Sequence, residues 1–481
     1  MLSLGDVLEA LTGFHPESAT SVITEGATDS RQVIPGSLFI ALPGERVDGH
    51  DFVGQAFERG ASFALVQRDL SAQWPTLDLH HAYQPDEMTQ HLATFDGPFC
   101  IYVENSLKAL QQVAGFWRHK LDVQVIGITG SVGKSTTKEL VAEVLSQRCN
   151  TLKNKGNLNN EIGLPLTLLS LSPGNERAVL EMGFYVPGEI ALLCELASPC
   201  IGVVTNIGTV HASRAGSQEE IARGKTELVQ ALPEDGYAIL NFDDPLVKAM
   251  ANKTKAHVFF YGLDPDADLW ADGVESLGLE GIRFLLHYRP EKNRSAEILQ
   301  LRVPLIGRHS VHTVLRAAAV GLVDGLTWQE IVSGLRSAST QLRLIAVRTE
   351  NGALILDDTY NASPESMLAA LNLLDELEGR KVAVFGDMLE LGQYEWRGHE
   401  MVGIRASEIV DELVTIGERG RMIAAAACRA GLPPSVITEL DTVEQAIEFL
   451  RPHLNEKDVV LVKGSHGMRM DRIVTALEYR Q

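Results

Sequence analysis

Two kinds of apolar segment alternate along this chain. Short runs rich in Val, Ile, Leu and Ala are typical of buried strands, and longer stretches repeat their apolar residues at helical spacing. Near the N-terminus, "SLFIAL" and "ASFALVQ" predict strands, and "LKALQQVAGFWRHKL" predicts a helix that leads into the next segment. Residues 1–105 are therefore predicted to form a small α/β domain.

The alternation of strands and helices continues through residues 106–338. "VQVIGITG", "AVLEMG" and "IGVVTNIG" have the composition of buried strands, and a helix is predicted to begin at Lys134. This order indicates a mostly parallel sheet covered by helices, which binds ligands at the carboxyl ends of its strands. Each of these three strands ends in a glycine-containing loop with polar residues nearby.

The alternation restarts in residues 339–481. "GALILDD", "KVAVFGD", "ELVTIGE" and "DVVLVKGS" each end in a turn with Gly or Asp, which predicts a second doubly wound, Rossmann-like domain. The chain has 481 residues, too many for one hydrophobic core. We therefore expect a three-domain α/β protein, and a monomer, because each domain is large enough to bury a core of its own.

Composition and charge exclude some function classes. The chain is 45% hydrophobic and 22% charged, as in ordinary globular proteins, and its formal net charge is −21. Such a charge argues against nucleic acid as a partner, so an anionic ligand would need a local basic pocket. The chain has five cysteines without metal-ligand spacing, which predicts reduced thiols. No signal-peptide pattern or membrane-length apolar run is present, so we expect a cytoplasmic protein without a membrane partner.

A candidate phosphate-binding loop lies in "GITGSVGKSTTKEL", residues 127–140. The general P-loop pattern has a glycine five residues before the glycine of Gly-Lys-Ser, but here that position is Ile128. The loop still follows a predicted strand and opens a predicted helix, the context that a phosphate cradle requires. Its residues are Gly130, Ser131, Val132, Gly133, Lys134, Ser135 and Thr136.

The residue types in this loop suit a nucleotide with Mg²⁺. Backbone N–H groups at a helix N-terminus face an anion, and Lys134 would neutralise charge on the β- and γ-phosphates. Ser135 offers a hydroxyl to the metal. Further candidates follow later strands or lie on a helix: Glu181, His211 and Lys225. By itself, each of these three is better explained as an ordinary surface side chain.

Taken in this order, the elements resemble the Mur ligases, the ATP-dependent amide-forming enzymes of peptidoglycan precursor synthesis. That family has the shorter loop Gly-x-x-Gly-Lys-Ser/Thr, which accounts for Ile128. The resemblance covers nearly the whole chain, in "TDSRQVIPGSLFIALPGERVDGHDF", "GITGSVGKSTTKEL", "KNKGNLNNEIGLP", "LEMGFYVPGEI", "TNIGTVHASRAGSQEEIARGKTEL", "DDTYNASPESM", "FGDMLELG" and "LVKGSHGM". It implies a UDP-substrate domain, a central P-loop parallel-sheet ATP-binding domain and a C-terminal Rossmann-like domain.

The resemblance also implies roles for single residues. The loop backbone and Lys134 would hold ATP, and two Mg²⁺ ions would be bound by Ser135, Glu181, His211 and Lys225. Lys225 matches the lysine that becomes a carbamate by reaction with CO₂, which turns a cation into an anion. The implied catalytic residues are Lys134, Glu181, His211 and Lys225.

Further residues match binding positions of the family. His309 matches a nucleotide-binding position, and Arg343 and Asp358 match residues that close over the nucleotide. The UDP-linked substrate would be contacted by Ser30, Arg31, Asn157, Asn159, Asn160 and Asn361.

Within the family, "YNASPESM" and "GDMLELG" resemble the branch that joins D-alanyl-D-alanine to a UDP-N-acetylmuramoyl tripeptide through an acyl phosphate. Three alternatives remain. They are the diaminopimelate-adding branch, a folylpolyglutamate synthetase and a non-catalytic binding protein of the same fold. No "DNPR"-like stretch favours the first, and the N-terminal module argues against the second. The retained Lys134, Glu181, His211 and Lys225 argue against the third.

One stretch departs from the family pattern Gly-x-His-Asn-x-x-Asn. In "GRHSVHT", Gly307 and His309 are kept, but Ser310 and Thr313 replace two asparagines that lie near the adenine in the family. A hydroxyl cannot make the paired donor and acceptor contacts of an amide. The resemblance therefore leaves base selectivity and ATP affinity in doubt.

Overall fold

The structure is a computed structural model that describes residues 1–44, 47–209, 213, 216–291, 295–336 and 345–479. The chain forms two compact units. The first contains residues 1–127, 149–183 and 188–200, and the second contains residues 128–148, 184–187 and 201–481.

The described helices include the two that the sequence predicted. They are α1 (Leu4–Thr12), α2 (Val53–Glu58), α3 (Pro85–Leu92), α4 (Ser106–Lys120), α5 (Lys134–Leu145), α6 (Gly163–Leu169), α7 (Glu189–Ala197), α8 (Gln218–Gln230), α9 (Pro245–Lys248), α10 (Val311–Val323), α11 (Trp328–Leu335), α12 (Pro364–Glu376), α13 (Glu395–Ile409), α14 (Gly420–Arg429), α15 (Val443–His453) and α16 (Asp471–Leu477). Within the described ranges, no helix is both long enough and apolar enough to span a bilayer.

The strands are short, as in most α/β proteins. They are β1 (Gly26–Ala27), β2 (Leu38–Ile40), β3 (Phe63–Val66), β4 (Thr76–Asp78), β5 (Phe99–Tyr102), β6 (Gln124–Thr129), β7 (Thr151–Lys153), β8 (Arg177–Glu181), β9 (Ile201–Val204), β10 (Tyr237–Asn241), β11 (His257–Gly262), β12 (Leu269–Ser276), β13 (Ile282–Tyr288), β14 (Glu297–Val303), β15 (Ile345–Arg348), β16 (Leu354–Asp358), β17 (Arg380–Gly386), β18 (Glu412–Ile416), β19 (Ile437–Leu440) and β20 (Asp458–Lys463).

In the first unit, five parallel strands form a sheet in the order β1-β2-β3-β5-β4. The predicted strands in "SLFIAL" and "ASFALVQ" are its β2 and β3. Helix α4 begins where the side chain of Asn105 accepts a hydrogen bond from the N–H of Lys108 at 2.9 Å. The same unit contains the neighbouring strands β6, β8 and β7, of which β8 and β7 are parallel. Strand β6 continues into the second unit with its last two residues.

In the second unit, β9, β10, β11 and β12 run parallel, which confirms the predicted parallel sheet. This sheet then continues through β13 and β14 as an antiparallel meander. The sequence analysis did not predict this meander. Along β13, buried and exposed residues partly alternate, as expected for an antiparallel strand with one solvated face.

The C-terminal sheet also belongs to the second unit. Its order is β15-β16-β20-β17-β18-β19, with β15 as the antiparallel edge strand and the others parallel. Two separate apolar clusters cover its faces, one built around α12 and α13 and the other around α15 and α16. Helices on both faces are the arrangement predicted for a doubly wound domain. The domain boundaries near residues 105 and 338 stay predictions.

Most of the cysteines are packing side chains. All five are free thiols, and Cys100, Cys149 and Cys194 are buried. Burial raises the pKa of the Cys100 thiol to about 12, so it remains protonated at neutral pH. Burial of these three agrees with the mostly packing thiols expected from the sequence, whereas Cys428 is exposed.

Candidate active site

The predicted phosphate loop connects β6 to α5, as the sequence indicated. Gly130 and Gly133 have φ values of 143° and 81°, and Gly133 is the left-handed residue that precedes the first turn of α5. A Cβ atom on Gly130 would lie 1.8 Å from Oγ1 of Thr205. Only glycine therefore fits at Gly130, for steric as well as conformational reasons.

Residues that follow β9 hold the loop in shape. The N–H of Ser131 donates to the carbonyl of Asn206 at 2.9 Å, and the N–H of Val132 donates to its side-chain oxygen at 2.9 Å. The hydroxyl of Thr205 donates to the carbonyl of Val132 at 2.7 Å. The loop conformation is thus fixed before any ligand binds, and the N-terminus of α5 provides the N–H groups that suit an anion.

Lys134 lies across this loop. Its ammonium donates to the carbonyl of Gly130 at 3.0 Å and to that of Ser131 at 3.3 Å. Both contacts are with neutral carbonyls at the mouth of the loop. A phosphate group bound to the loop would be within the reach of this flexible cation, which is the arrangement predicted from the sequence.

Lys225, on α8, approaches the loop from the protein interior. Its side chain is only 2% exposed, and its amine donates to the carbonyl of Gly130 at 3.0 Å. The amine also lies 4.8 Å from the centre of the Phe184 ring. Burial, and to a lesser extent the charge of Lys134, hold the pKa of Lys225 well below its usual value. A surface lysine, which the sequence alone favoured, is therefore the wrong description of Lys225.

We expect Gly130→Ala to lower the free energy of unfolding by about 3 kcal/mol, because the added methyl clashes with Thr205 at an unfavourable φ. Gly325→Ala is the matched control, since Gly325 has a φ of 81° and no atom near its Cβ position. The control should lose about 1 kcal/mol. Urea unfolding of both variants measures the difference, and equal losses would contradict a steric role for Gly130.

In the first unit, Glu181 ends β8 and is buried. Its side-chain oxygen Oε1 accepts a hydrogen bond from Nδ2 of Asn159 at 2.9 Å. Its backbone is fixed by Asn154, whose side chain accepts from the N–H of Glu181 at 3.0 Å and donates to its carbonyl at 3.1 Å. The sequence analysis proposed Glu181 and Asn159 as site residues but did not single out Asn154, although this residue lies in the stretch "KNKGNLNN". The bonds orient a carboxylate that could serve as a ligand for a hard cation.

The other substrate-binding candidates of the first unit differ in their exposure and in their hydrogen-bond partners. Asn157 is exposed, and the side chain of Asn160 accepts from the N–H of Gly163 at 2.9 Å, at the start of α6. Ser30 is buried and donates to Gln55 at 2.6 Å. Arg31 is exposed and paired with Asp29 at 2.8 Å. Asn157 and Arg31 thus remain accessible to a ligand.

Two candidates of the C-terminal region are joined by a lysine that the sequence analysis did not single out. Lys463 is buried at the end of β20, and its amine donates to Asp358 Oδ2 at 2.7 Å and to the carbonyl of Asn361 at 2.8 Å. Asp358 and Asn361 are therefore held beside each other. The available sequence signal was a lysine directly after the buried strand "DVVLV".

The loop after β9 is also tied to α12. Glu365 Oε1 accepts from the N–H of Thr209 at 3.1 Å and from its hydroxyl at 3.3 Å. The preceding N–H, of Gly208, donates to the Ser131 hydroxyl in the phosphate loop at 2.8 Å. Glu365, which sequence reasoning missed, therefore connects the C-terminal region to the phosphate loop through two neighbouring residues.

The altered stretch "GRHSVHT" lies at the start of α10. The Ser310 hydroxyl donates to the carbonyl of Ile306 at 2.7 Å, and Thr313 Oγ1 accepts from Nη2 of Arg316 at 2.7 Å. His309 is exposed on the preceding 3₁₀ turn. Both replacement hydroxyls thus have partners within the protein. His211 and Arg343 lie outside the described residues, and their roles stay predictions.

Comparison with known proteins agrees with this arrangement. Three family models match: "Mur ligase family, catalytic domain" over residues 23–117, "Mur ligase middle domain" over 128–321 and "Mur ligase, glutamate ligase domain" over 342–466. The UDP-N-acetylmuramoyl-tripeptide–D-alanyl-D-alanine ligase of Bacillus subtilis is 36% identical over 96% of this chain and 95% of its own.

Solved structures match over nearly the full length as well. A crystal structure of MurF from Acinetobacter baumannii has a TM-score of 0.82 at 29% identity, covering 99% of this chain and 98% of that one. MurF ligase from Thermotoga maritima, in complex with ADP, has a TM-score of 0.75 at 27% identity and covers 98% of both chains. The chain belongs to the Mur ligase family, and the expected α/β fold class with three domains is confirmed. The Bacillus subtilis relative is named as a D-alanyl-D-alanine ligase, and the two solved structures are of proteins named MurF.

Proposed function

We propose that this protein is an ATP-dependent ligase that joins D-alanyl-D-alanine to a UDP-N-acetylmuramoyl tripeptide in peptidoglycan precursor synthesis. The full-length similarity to ligases with this activity supports the choice of substrates. The observation that carries the use of ATP is the phosphate loop, which Lys134 crosses and Lys225 approaches from the interior.

The loop fits the phosphate chain of ATP. A Cβ atom at Gly130 would clash with Thr205, and Gly133 opens α5, whose N-terminus favours an anion. The ammonium of Lys134 lies beside the loop, although the chain as a whole has a net charge of −21. This is the local basic pocket that an anionic ligand requires in an acidic protein. Asp358 and His309 are proposed nucleotide contacts, as is Arg343.

The residues present also fit Mg²⁺. Ser135 and Glu181 offer oxygen atoms, which this hard cation prefers, and both are buried. When bound, Mg²⁺ offsets charge on phosphate oxygens and acts as a Lewis acid. We propose Ser135, Glu181, His211 and a carbamate on Lys225 as ligands of two ions. The low pKa of Lys225 supports the carbamate, because only the neutral amine reacts with CO₂.

The proposed reaction proceeds in two steps. An oxygen of the tripeptide carboxylate attacks the γ-phosphorus of ATP, which forms an acyl phosphate and releases ADP. The amine of D-alanyl-D-alanine then attacks the acyl carbon, phosphate leaves, and the amine loses a proton. Lys134 would reduce the repulsion between the carboxylate and the phosphate in the first step. The acyl phosphate must be kept from water, and we propose that the C-terminal region closes over the phosphate loop to do so. The bond between Glu365 and Thr209 joins that region to the loop after β9.

The substrate-binding assignments follow the same proposal. Ser30 and Arg31 are placed at the UDP end, where the guanidinium of Arg31 suits a diphosphate. The sugar-peptide is placed at Asn157, Asn159 and Asn160, and Asn361 is placed with the substrate from the C-terminal region. We place the reaction in the cytoplasm, where ATP and UDP-linked precursors are available, and we expect a monomer.

Phosphate release from ATP tests the proposed activity. Purified protein is incubated with UDP-N-acetylmuramoyl tripeptide, with D-alanyl-D-alanine or with L-alanyl-L-alanine as the matched control dipeptide. We expect release only with the tripeptide and the D,D-dipeptide together, and a new UDP-linked pentapeptide by mass spectrometry. Tripeptides containing lysine or diaminopimelate identify the preferred third residue. A folded protein that turns over neither tripeptide would overturn the proposal.

A further inference from the structure

Arg316 is a buried cation that the proposed mechanism does not use. It lies on α10 and is 4% exposed. Its Nη2 donates to Thr313 Oγ1 at 2.7 Å, and its Nη1 donates to the hydroxyl of Tyr261 at 3.4 Å. Its Nε is buried without a hydrogen-bond partner. The guanidinium is therefore held in place by neutral groups while its Nε–H group is unused.

This charge has no counter-ion in the part of the chain that the structure describes. No carboxylate forms an ion pair with Arg316 there. The acidic residues near Tyr261 have other partners, since Asp243 pairs with His312 at 2.9 Å and Asp244 accepts from the N–H of Ile207 at 2.8 Å. A buried charge without a partner is strongly destabilising. Such a group is best explained by an anion that binds beside it.

The position of the guanidinium identifies the kind of anion. A Cβ atom on Gly133 would lie 3.2 Å from Nη2 of Arg316, so the guanidinium lies directly against the phosphate loop. Gly133 immediately precedes Lys134 and the N-terminus of α5. The anion that this part of the loop would hold is the phosphate chain of a nucleotide.

We infer that Arg316 is a further nucleotide-binding residue, whose counter-ion is the phosphate chain. The inference rests on the proposed use of ATP and deepens it. It also gives Thr313 a role: its hydroxyl accepts a hydrogen bond from the guanidinium and so orients it. Thr313 is a positioning residue in this arrangement.

Binding of ligands with increasing phosphate charge tests the inference. Calorimetric titration compares wild type with Arg316→Met and Arg316→Lys, using adenosine, AMP and ADP with Mg²⁺. We expect Arg316→Met to weaken ADP binding about 10- to 100-fold, as for loss of a charge-assisted hydrogen bond, and to leave adenosine binding unchanged. Arg316→Lys should lose less, because it keeps the charge but not the fork of donors.

Unfolding without nucleotide separates this role from a structural one. If Arg316 serves the ligand, the melting temperature of ligand-free Arg316→Met should equal or exceed that of wild type, because the variant buries no unpaired charge. A purely structural arginine would instead lower that temperature and weaken adenosine and ADP alike. Should the methionine variant not fold, the same ligand series on Arg316→Lys decides, and equal ADP affinity in folded variants overturns the inference.

These outcomes are distinct from those for the ligase activity. ADP binding that depends on Arg316, in a protein that does not ligate D-alanyl-D-alanine, would support this inference and overturn the proposed substrates. Ligation of D-alanyl-D-alanine by the wild type, together with unchanged ADP affinity in both Arg316 variants, would support the proposed substrates and overturn this inference. A wild-type protein that binds no ADP would overturn both.

Discussion

Lys134→Ala is expected to lower the rate of phosphate release, with both substrates present, by about 10³-fold. The ammonium of Lys134 spans the mouth of the phosphate loop, with bonds to the carbonyls of Gly130 and Ser131. Its charge would be needed most when the tripeptide carboxylate approaches the γ-phosphate, because two anions must then meet. The effect should therefore lie mainly in kcat.

Lys255→Ala is the matched control for this prediction. Lys255 is 82% exposed and pairs only loosely with Glu234, at 4.0 Å, so its loss should leave the rate within about twofold of wild type. Steady-state phosphate release with saturating tripeptide and D-alanyl-D-alanine measures both variants. A Lys134→Ala enzyme that keeps more than a tenth of the wild-type kcat would contradict the assigned role.

Lys225→Met is expected to lower ligation at least about 100-fold and, in CO₂-depleted buffer at pH 7, to stabilise the fold. The activity falls because methionine cannot form the carbamate. Stability rises because burial keeps the pKa of Lys225 below its unfolded value, so the unfolded state binds more protons between the two pKa values. The wild type is therefore penalised at neutral pH and regains stability as pH rises toward about 10.4, the ordinary lysine pKa.

Measurements across pH test each part of this prediction. In urea unfolding, the advantage of Lys225→Met over wild type should shrink from pH 7 to pH 10, whereas Lys255→Met should show no such trend. Added bicarbonate should raise wild-type ligation and leave Lys225→Met unchanged. Lys225→Glu, which supplies a carboxylate directly, should retain more activity than the methionine variant. Full activity of Lys225→Met would overturn the proposed carbamate.

Lys134 and Lys225 are also coupled to each other. The charge of Lys134 is the second cause, after burial, of the low pKa of Lys225. Lys134→Ala should therefore raise the pKa of Lys225. Reaction of Lys225 with CO₂, which needs the neutral amine, should then begin at a higher pH in this variant than in wild type. This coupling cannot be inferred from the sequence, where the two lysines are 91 positions apart.

Sequence reasoning correctly placed the candidate phosphate loop between a strand and a helix, because that signal is local. A buried strand, a glycine turn and a helix beginning at Lys134 follow one another within about a dozen residues, and each is determined by short-range sterics and periodicity. The same applies to β2 and β3 and to four strands of the C-terminal sheet, β16, β17, β18 and β20. The antiparallel strands β13 and β14 were missed, since a partly alternating pattern does not indicate which neighbour a strand will pair with.

The supporting residues were missed for a different reason. Asn154 fixes the backbone of Glu181 from 27 positions away, and Lys463 joins Asp358 from 105 positions away. Glu365 reaches Thr209 across 156 positions. An Asn, a Lys or a Glu is common at a strand end or in a first helical turn, so nothing in the residue type marks the distant partner.

By itself, the sequence determined the α/β class, the phosphate loop and the candidate residues Lys134, Glu181 and Lys225, because strand, turn and helix signals depend on neighbours in the chain. Only the tertiary structure decided which charges are buried. Folding places Lys225 and Arg316 against the loop and away from water, and it leaves Lys255 and Arg31 in solvent. The free energy of a charge depends on the medium around it, and that medium exists only once distant segments have packed together.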